Sequence, residues 1–215
     1  DGRKGYSFLI FISAEFPPIQ LGYGFTLNGV GGLVGIHRTI IVEELRKGVK
    51  TGAYDNLLFP ENPVENALEI IASLEAIFPV SEGRYVFGIM GKIGWGAPTL
   101  ITIDLGLIIE VPNPVKLAIL GVVKAILPTE DKAILKLQVN FLGVIDFGKK
   151  QLSFDATIYD SRLLTFSLAG DMAMRLSWGS NSNFLMSVGG FHPSYQPPPQ
   201  LISMNRLTLN LLGGD

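Results

Sequence analysis

Apolar and polar residues alternate over runs far longer than an ordinary strand. From Ile101 to Val111 the odd positions are Ile101, Ile103, Leu105, Leu107, Ile109 and Val111, with Thr102, Asp104 and Glu110 among the residues between them. From Ala133 to Phe147 the odd positions are again apolar, and Lys136, Gln138, Asn140 and Asp146 fall between. A period of two is the mark of a strand with one buried face. On a helix the same residues would be spread around the whole circumference. Further alternating runs cover residues 6–14, 21–27, 84–95, 115–127, 152–158, 164–178, 184–188 and 207–211.

The links between these runs are short. Pro112-Asn-Pro114, Pro128-Thr-Glu-Asp131, Phe147-Gly-Lys-Lys150 and Gly179-Ser-Asn-Ser-Asn183 carry turn residues and leave no room for a crossover helix. Consecutive strands are therefore antiparallel neighbours. Residues 84–190 read as an unbroken meander of about seven strands, with a glycine expected at positive φ at Gly148. Asp160-Ser161-Arg162 interrupts the alternation and reads as a turn or bulge closed by an Asp–Arg contact.

One region breaks the pattern. Asn62, Pro63 and Glu65 form a helix start, with proline at the first helical position. Val64, Ala67, Leu68, Ile71, Leu74 and Phe78 follow at helical spacing, and Pro79 ends the run. A shorter helix is expected at Val42–Lys47, closed by Gly48. Residues 40–80 are thus a helical insertion whose apolar stripe must pack on a sheet face or over an open end. The predicted fold is mainly β: a long-stranded antiparallel meander forming a curved sheet or partial barrel, one domain over residues 1–215 with this insertion inside it.

Composition removes several functions. With 17 basic and 19 acidic residues the net charge is −2, and no basic stripe accompanies the aromatics, so nucleic acid is not an expected partner. The chain has no cysteine, which removes disulfides, thiolate metal sites and a cysteine nucleophile. No metal or cofactor is expected. No apolar stretch is long enough for a transmembrane helix, and no signal peptide is visible, so no compartment is assigned. Both ends read as cuts through a longer polypeptide.

Few groups suit chemistry. His37 and His192 sit beside glycine-rich segments and read as loop-edge residues bonded to backbone, in preference to metal ligands. Asn28-Gly-Val-Gly-Gly-Leu-Val-Gly35 lacks the Lys-Ser/Thr ending of a phosphate loop, and bends or close packing explain its glycines. Asp104, Glu110, Asp146, Asp155, Asp160 and Asp171 occupy the polar positions of strands, where solvation accounts for them better than catalysis. No serine triad is evident. Trp95 and Trp178 fall on apolar strand faces and read as core residues before ligand-stacking ones. Tyr195-Gln-Pro-Pro-Pro199 reads as a rigid linker before a docking segment. An enzyme is not expected.

The runs Ile12–Leu33, Leu58–Val64, Gly91–Leu100 and Gly189–Pro193 resemble a family of uncharacterised, mainly bacterial domains carried in very large proteins and known only as a domain of unknown function. The resemblance extends over roughly residues 10–200. It implies a fragment of a larger protein, with the remaining parent segments as partners, and it brings no catalytic residues.

Charged residues make up 17%, against about 25% in an average chain, and mean hydropathy is +0.36. The second face of the strands explains part of this. Ile108, Ala118, Leu120, Val122, Ile126, Ile134, Leu142 and Val144 lie opposite the main apolar face, so both faces need cover. Three roles fit: a structural or assembly module, slightly favoured; a groove for lipid or another apolar ligand; and an outer-membrane barrel, against which the helical insertion counts. The residues expected to touch an apolar ligand are Phe87, Trp95, Leu105, Leu107, Leu137, Phe141, Phe166, Met174 and Trp178.

Overall fold

A computed structural model describes residues 6–60, 62–129, 132–192, 194–201 and 204–211. The predicted turn at Pro128–Asp131 thus lies partly outside the described residues, as do Pro193 and the last four residues.

The strands are β1 (Phe8–Gly22), β2 (Phe25–Arg38), β3 (Val80–Trp95), β4 (Ile101–Val111), β5 (Lys116–Leu127), β6 (Leu135–Asp146), β7 (Gln151–Leu163), β8 (Phe166–Ser177), β9 (Asn183–Val188) and β10 (Thr208–Leu211). They form one antiparallel sheet in the order β1-β2-β3-β4-β5-β6-β7-β8, and β8 carries both β9 and β10 on its far side. The sheet stays open, so the partial-barrel expectation resolves to an open meander. Residues 80–188 hold the seven consecutive strands that the alternation predicted.

Register keeps one parity in phase across the sheet. Val34 pairs with Phe87, Phe87 with Ile109, Ile109 with Leu117, and Leu117 with Ile145. Ile145 pairs with Leu152, and Leu152 with Leu176. Bulges in β2, β3 and β7 absorb the irregularities without exchanging the two faces between them.

Three helices fill the β2–β3 connection: α1 (Val42–Thr51), α2 (Tyr54–Leu58) and α3 (Ala67–Ile77). α1 runs a turn beyond its predicted end, since Gly48 is buried inside it and Gly52, at φ 74°, closes it in the left-handed region. α3 starts after its predicted cap, the residues from Asn62 to Asn66 forming turns. Leu45, Val49, Tyr54, Leu58, Phe59 and Phe78 pack on Val86, Ile108, Leu120, Leu142 and Val144. The insertion therefore covers the half-polar second face. Gly106 makes room for it: a Cβ there would lie 2.8 Å from Leu58 Cδ2.

Two turn details differ from expectation. Lys150, not Gly148, takes positive φ, at 52°. Gly148 is small for a steric reason, because a Cβ there would collide with the Pro114 ring. At the β7 bulge Asp160 pairs with Lys136 at 2.5 Å and not with Arg162.

Two strand glycines should respond oppositely to the same change. A Cβ on Gly121 would stand 2.6 Å from the Asp104 carbonyl oxygen and 2.8 Å from Phe141 Cζ, whereas one on Gly91 meets nothing within 4 Å. Gly121→Ala is expected to lower stability by about 1–3 kcal/mol through overpacking, and Gly91→Ala to leave it unchanged or slightly raised. Urea midpoints of the two variants check this.

Candidate functional site

The face away from the helices carries no charged or amide side chain from β2 to β8. It presents Val30, Val34 and Ile36 of β2, then Tyr85, Phe87, Ile89, Ile93 and Trp95 of β3. Ile101 to Val111 of β4, Leu117 to Leu127 of β5 and Leu135 to Ile145 of β6 follow at every second residue. Leu152, Phe154 and Ile158 of β7 and Phe166, Leu168, Met172, Met174 and Leu176 of β8 complete it. Among the described residues nothing packs over this face. Leu107 and Ile119, paired at the centre, are 40% and 44% exposed. Seven strands about 4.8 Å apart and about eleven residues of rise give a face of roughly 1,200 Å². The largest apolar patch on an ordinary monomer is about 300–600 Å².

All nine residues expected to touch an apolar ligand lie on this face. Phe87, Trp95, Leu107 and Trp178 are exposed, and Leu105, Leu137, Phe141, Phe166 and Met174 are half-buried by their sheet neighbours. They line an open surface and not an enclosed groove. The reading of the two tryptophans as core residues is corrected: Trp95 is 39% and Trp178 37% exposed. Both stand at strand ends. Trp95 packs near Phe25 at one end and donates its Nε1–H to the Tyr23 carbonyl at 3.2 Å. Trp178 meets Phe147 edge-on at the opposite end, where Tyr85 also lies. Between these ends the face is aliphatic, glycine, methionine and phenylalanine.

The carboxylates on the second face are not solvated, contrary to the sequence reading. Asp104, Glu110, Asp146 and Asp171 are buried and Asp155 nearly so, because the insertion and its flanks lie over their parity. Glu110 is fully buried. Its carboxylate accepts from Thr39 Oγ1 at 2.8 Å, the Ile40 backbone N–H at 3.0 Å, Arg84 Nε at 2.6 Å and Lys116 Nζ at 3.1 Å. Burial alone would raise its pKa, but these donors outweigh burial and hold the carboxyl below its ordinary value. Glu110 thus ties the start of the insertion to β4.

A second cluster secures α1. Glu43, Arg46 and Lys50 share one helix face over β7 and β8. Arg46 Nε donates to Asp155 Oδ2 at 2.9 Å, Arg175 donates to Asp155 Oδ1 at 2.7 Å, and Lys50 pairs with Asp171 at 3.3 Å. Asp171 also accepts from Thr157 and from the Asn205 N–H. A cleft of about 350 Å³ opens here, bordered by Asp146, Lys149 and Gln200. The Tyr195–Pro199 segment leads into a 3-10 turn, Pro199–Leu201, at its rim. Charges of both signs line the cleft, and Asp155 and Asp171 are spent on holding α1 and the 204–206 segment.

His37 Nδ1 accepts from the Gly83 N–H at 2.8 Å, and His192 Nδ1 from the Ser194 N–H at 3.2 Å, the loop-edge role expected of both. Among the described residues no group of three or more His, Cys, Asp or Glu could hold a metal ion. No helix among them is long and apolar enough to cross a membrane.

A family described as one of unknown function, DUF6603, matches residues 1–215. The chain belongs to the DUF6603 family. No curated protein and no solved structure matches it. Family membership brings no assigned chemistry, so the uncovered face itself has to carry the functional reading.

Glu110 gives a test of how the insertion is held. Glu110→Gln leaves Arg84 and Lys116 without their anion and is expected to lower stability by about 3 kcal/mol at neutral pH. Because the native carboxyl titrates below the unfolded one, its contribution is present above the ordinary carboxylate range and is lost as pH falls through the lowered native pKa. Urea unfolding between roughly pH 7 and pH 3 should show a shallower acid decline in the variant than in the wild type; equal slopes would contradict the assignment.

Proposed function

We propose that this domain is a non-catalytic lipid-contacting module whose uncharged sheet face lies against phospholipid acyl chains. The observation that carries this reading is the face itself, continuous over β2–β8, exposed, and without a polar side chain between its ends. Its aromatic rim separates acyl chains from a second protein sheet as the occupant. Indole and phenol groups favour places where an apolar layer meets water. Here Trp95 stands at one end of the strands, Tyr85 and Trp178 at the other. The ten-residue rise from Tyr85 to Trp95 is about 33 Å, close to the roughly 30 Å hydrocarbon core of a bilayer.

The opposite face has a distinct task. Its buried ion pairs hold the helical insertion in place, which accounts for the carboxylates without assigning them chemistry. With a net charge of −2 the domain has no bulk attraction to anionic headgroups, so contact with lipid is apolar in origin.

Flotation with phosphatidylcholine vesicles tests this. The protein is expected to float with vesicles at both low and high salt, and native mass spectrometry of the purified chain to reveal retained phospholipid. Leu107→Lys with Ile119→Lys places two charges at the centre of the face, at positions already exposed, and should abolish flotation while the circular dichroism spectrum is kept. A lipid-free wild type that fails to float would transfer the face to a second apolar sheet.

A further inference from the structure

β1 is an edge strand with two unlike halves. Its second half carries Glu15, Pro17 and Pro18 and a register shift between Glu15 and Ile19. Charge, proline and bulges are the devices by which edge strands avoid pairing with other chains. The first half, Phe8–Ala14, has none of them. It pairs regularly with β2 from Phe8↔Ile36 to Ala14↔Val30, and among the described residues its other side meets no strand. Ile10 and Ile12 extend the uncharged face to this edge and are 48% and 65% exposed. The far edge differs, since β8 is covered there by strands of only six and four residues.

We infer that two copies of this chain pair antiparallel through Phe8–Ala14, about a two-fold axis at Phe11, so that their sheets join into one. The stretch is self-complementary in this register. Phe8 falls opposite Ala14, Leu9 opposite Ser13 and Ile10 opposite Ile12. Even residues meet even residues, so the uncharged face of one copy runs on into that of the other. Glu15 falls opposite Ser7, so no like charges meet, and an axis moved to Glu15 would set the two glutamates against each other. Such a pairing is isologous and closed. It requires nothing of the lipid reading, because it uses the backbone edge and not the face.

The chain contains no cysteine, which makes the register directly measurable. Residues directly opposite in an antiparallel pair have Cα atoms about 4.5–5.5 Å apart, within disulfide range. Ile10→Cys and Ile12→Cys are made separately, oxidised alone and as an equimolar mixture, and run without reductant. A non-ionic detergent is present throughout, so that association through apolar faces is suppressed. The mixture is expected to yield several-fold more cross-linked dimer than either variant alone. Light scattering of the wild type in the same detergent should give a protein mass of twice 23.3 kDa. Ile12→Lys, at an exposed site, should give a single copy with its circular dichroism spectrum intact; Ser13→Pro is a second blocking variant. Equal cross-linking in all three samples, or a wild type of single mass at tens of micromolar, would overturn the pairing.

Discussion

Everything in this fold depends on a register held in phase across eight strands. Side chains alternate between the faces of a strand, so a slip of one residue between any two neighbours would turn apolar residues to the other side. From Ile10 through Val34, Phe87, Ile109, Leu117, Ile145 and Leu152 to Leu176 the same face is kept. The register shifts lie near strand ends or at isolated bulges, so the sheet can hold an uncharged face and a mixed face without exchanging them.

The mixed face is where the energetics of the fold are concentrated. Helices α1–α3 bury Leu45, Leu58 and Phe78 against Leu120, Leu142 and Val144, and the charges that share this parity must then be paired. Glu110 is paired with Arg84 and Lys116, and Asp155 with Arg46 and Arg175. Breaking any of these strands a charge under the helices, so the pairs fix where the insertion lies even if their net contribution to stability is small. The apolar face takes no part in this core. Its low charge has to be explained by something outside the insertion.

Much of this was legible in the sequence. Strands of eleven or twelve residues give alternation long enough to exclude a helix, and short links force antiparallel neighbours. Parity was legible too, and all nine residues assigned to an apolar ligand share one face. Which parity the helices cover was not. Alternation separates two faces but is silent on a partner far away in sequence, and Glu110 meets Thr39 and Ile40 some 70 residues upstream. The apolar residues Ile108, Leu120, Leu142 and Val144, in phase with Glu110 and Asn140, were the available signal that this face is covered. Asp104 and Asp155 therefore read as solvated, and Trp95 and Trp178 as core. At Gly148 the residue type suggested positive φ where the need was space beside Pro114.

An uncharged face of this extent, bounded at both strand ends by tryptophan or tyrosine, is the central feature of the molecule. Trp95 and Trp178 are the only two tryptophans in the chain, so intrinsic fluorescence reports on this face alone. The most direct measurement is their emission in phosphatidylcholine vesicles whose acyl chains carry bromine, against vesicles without it. Acyl chains lying on the face would quench the emission strongly in the brominated vesicles. Identical emission in the two would contradict lipid as what the face contacts.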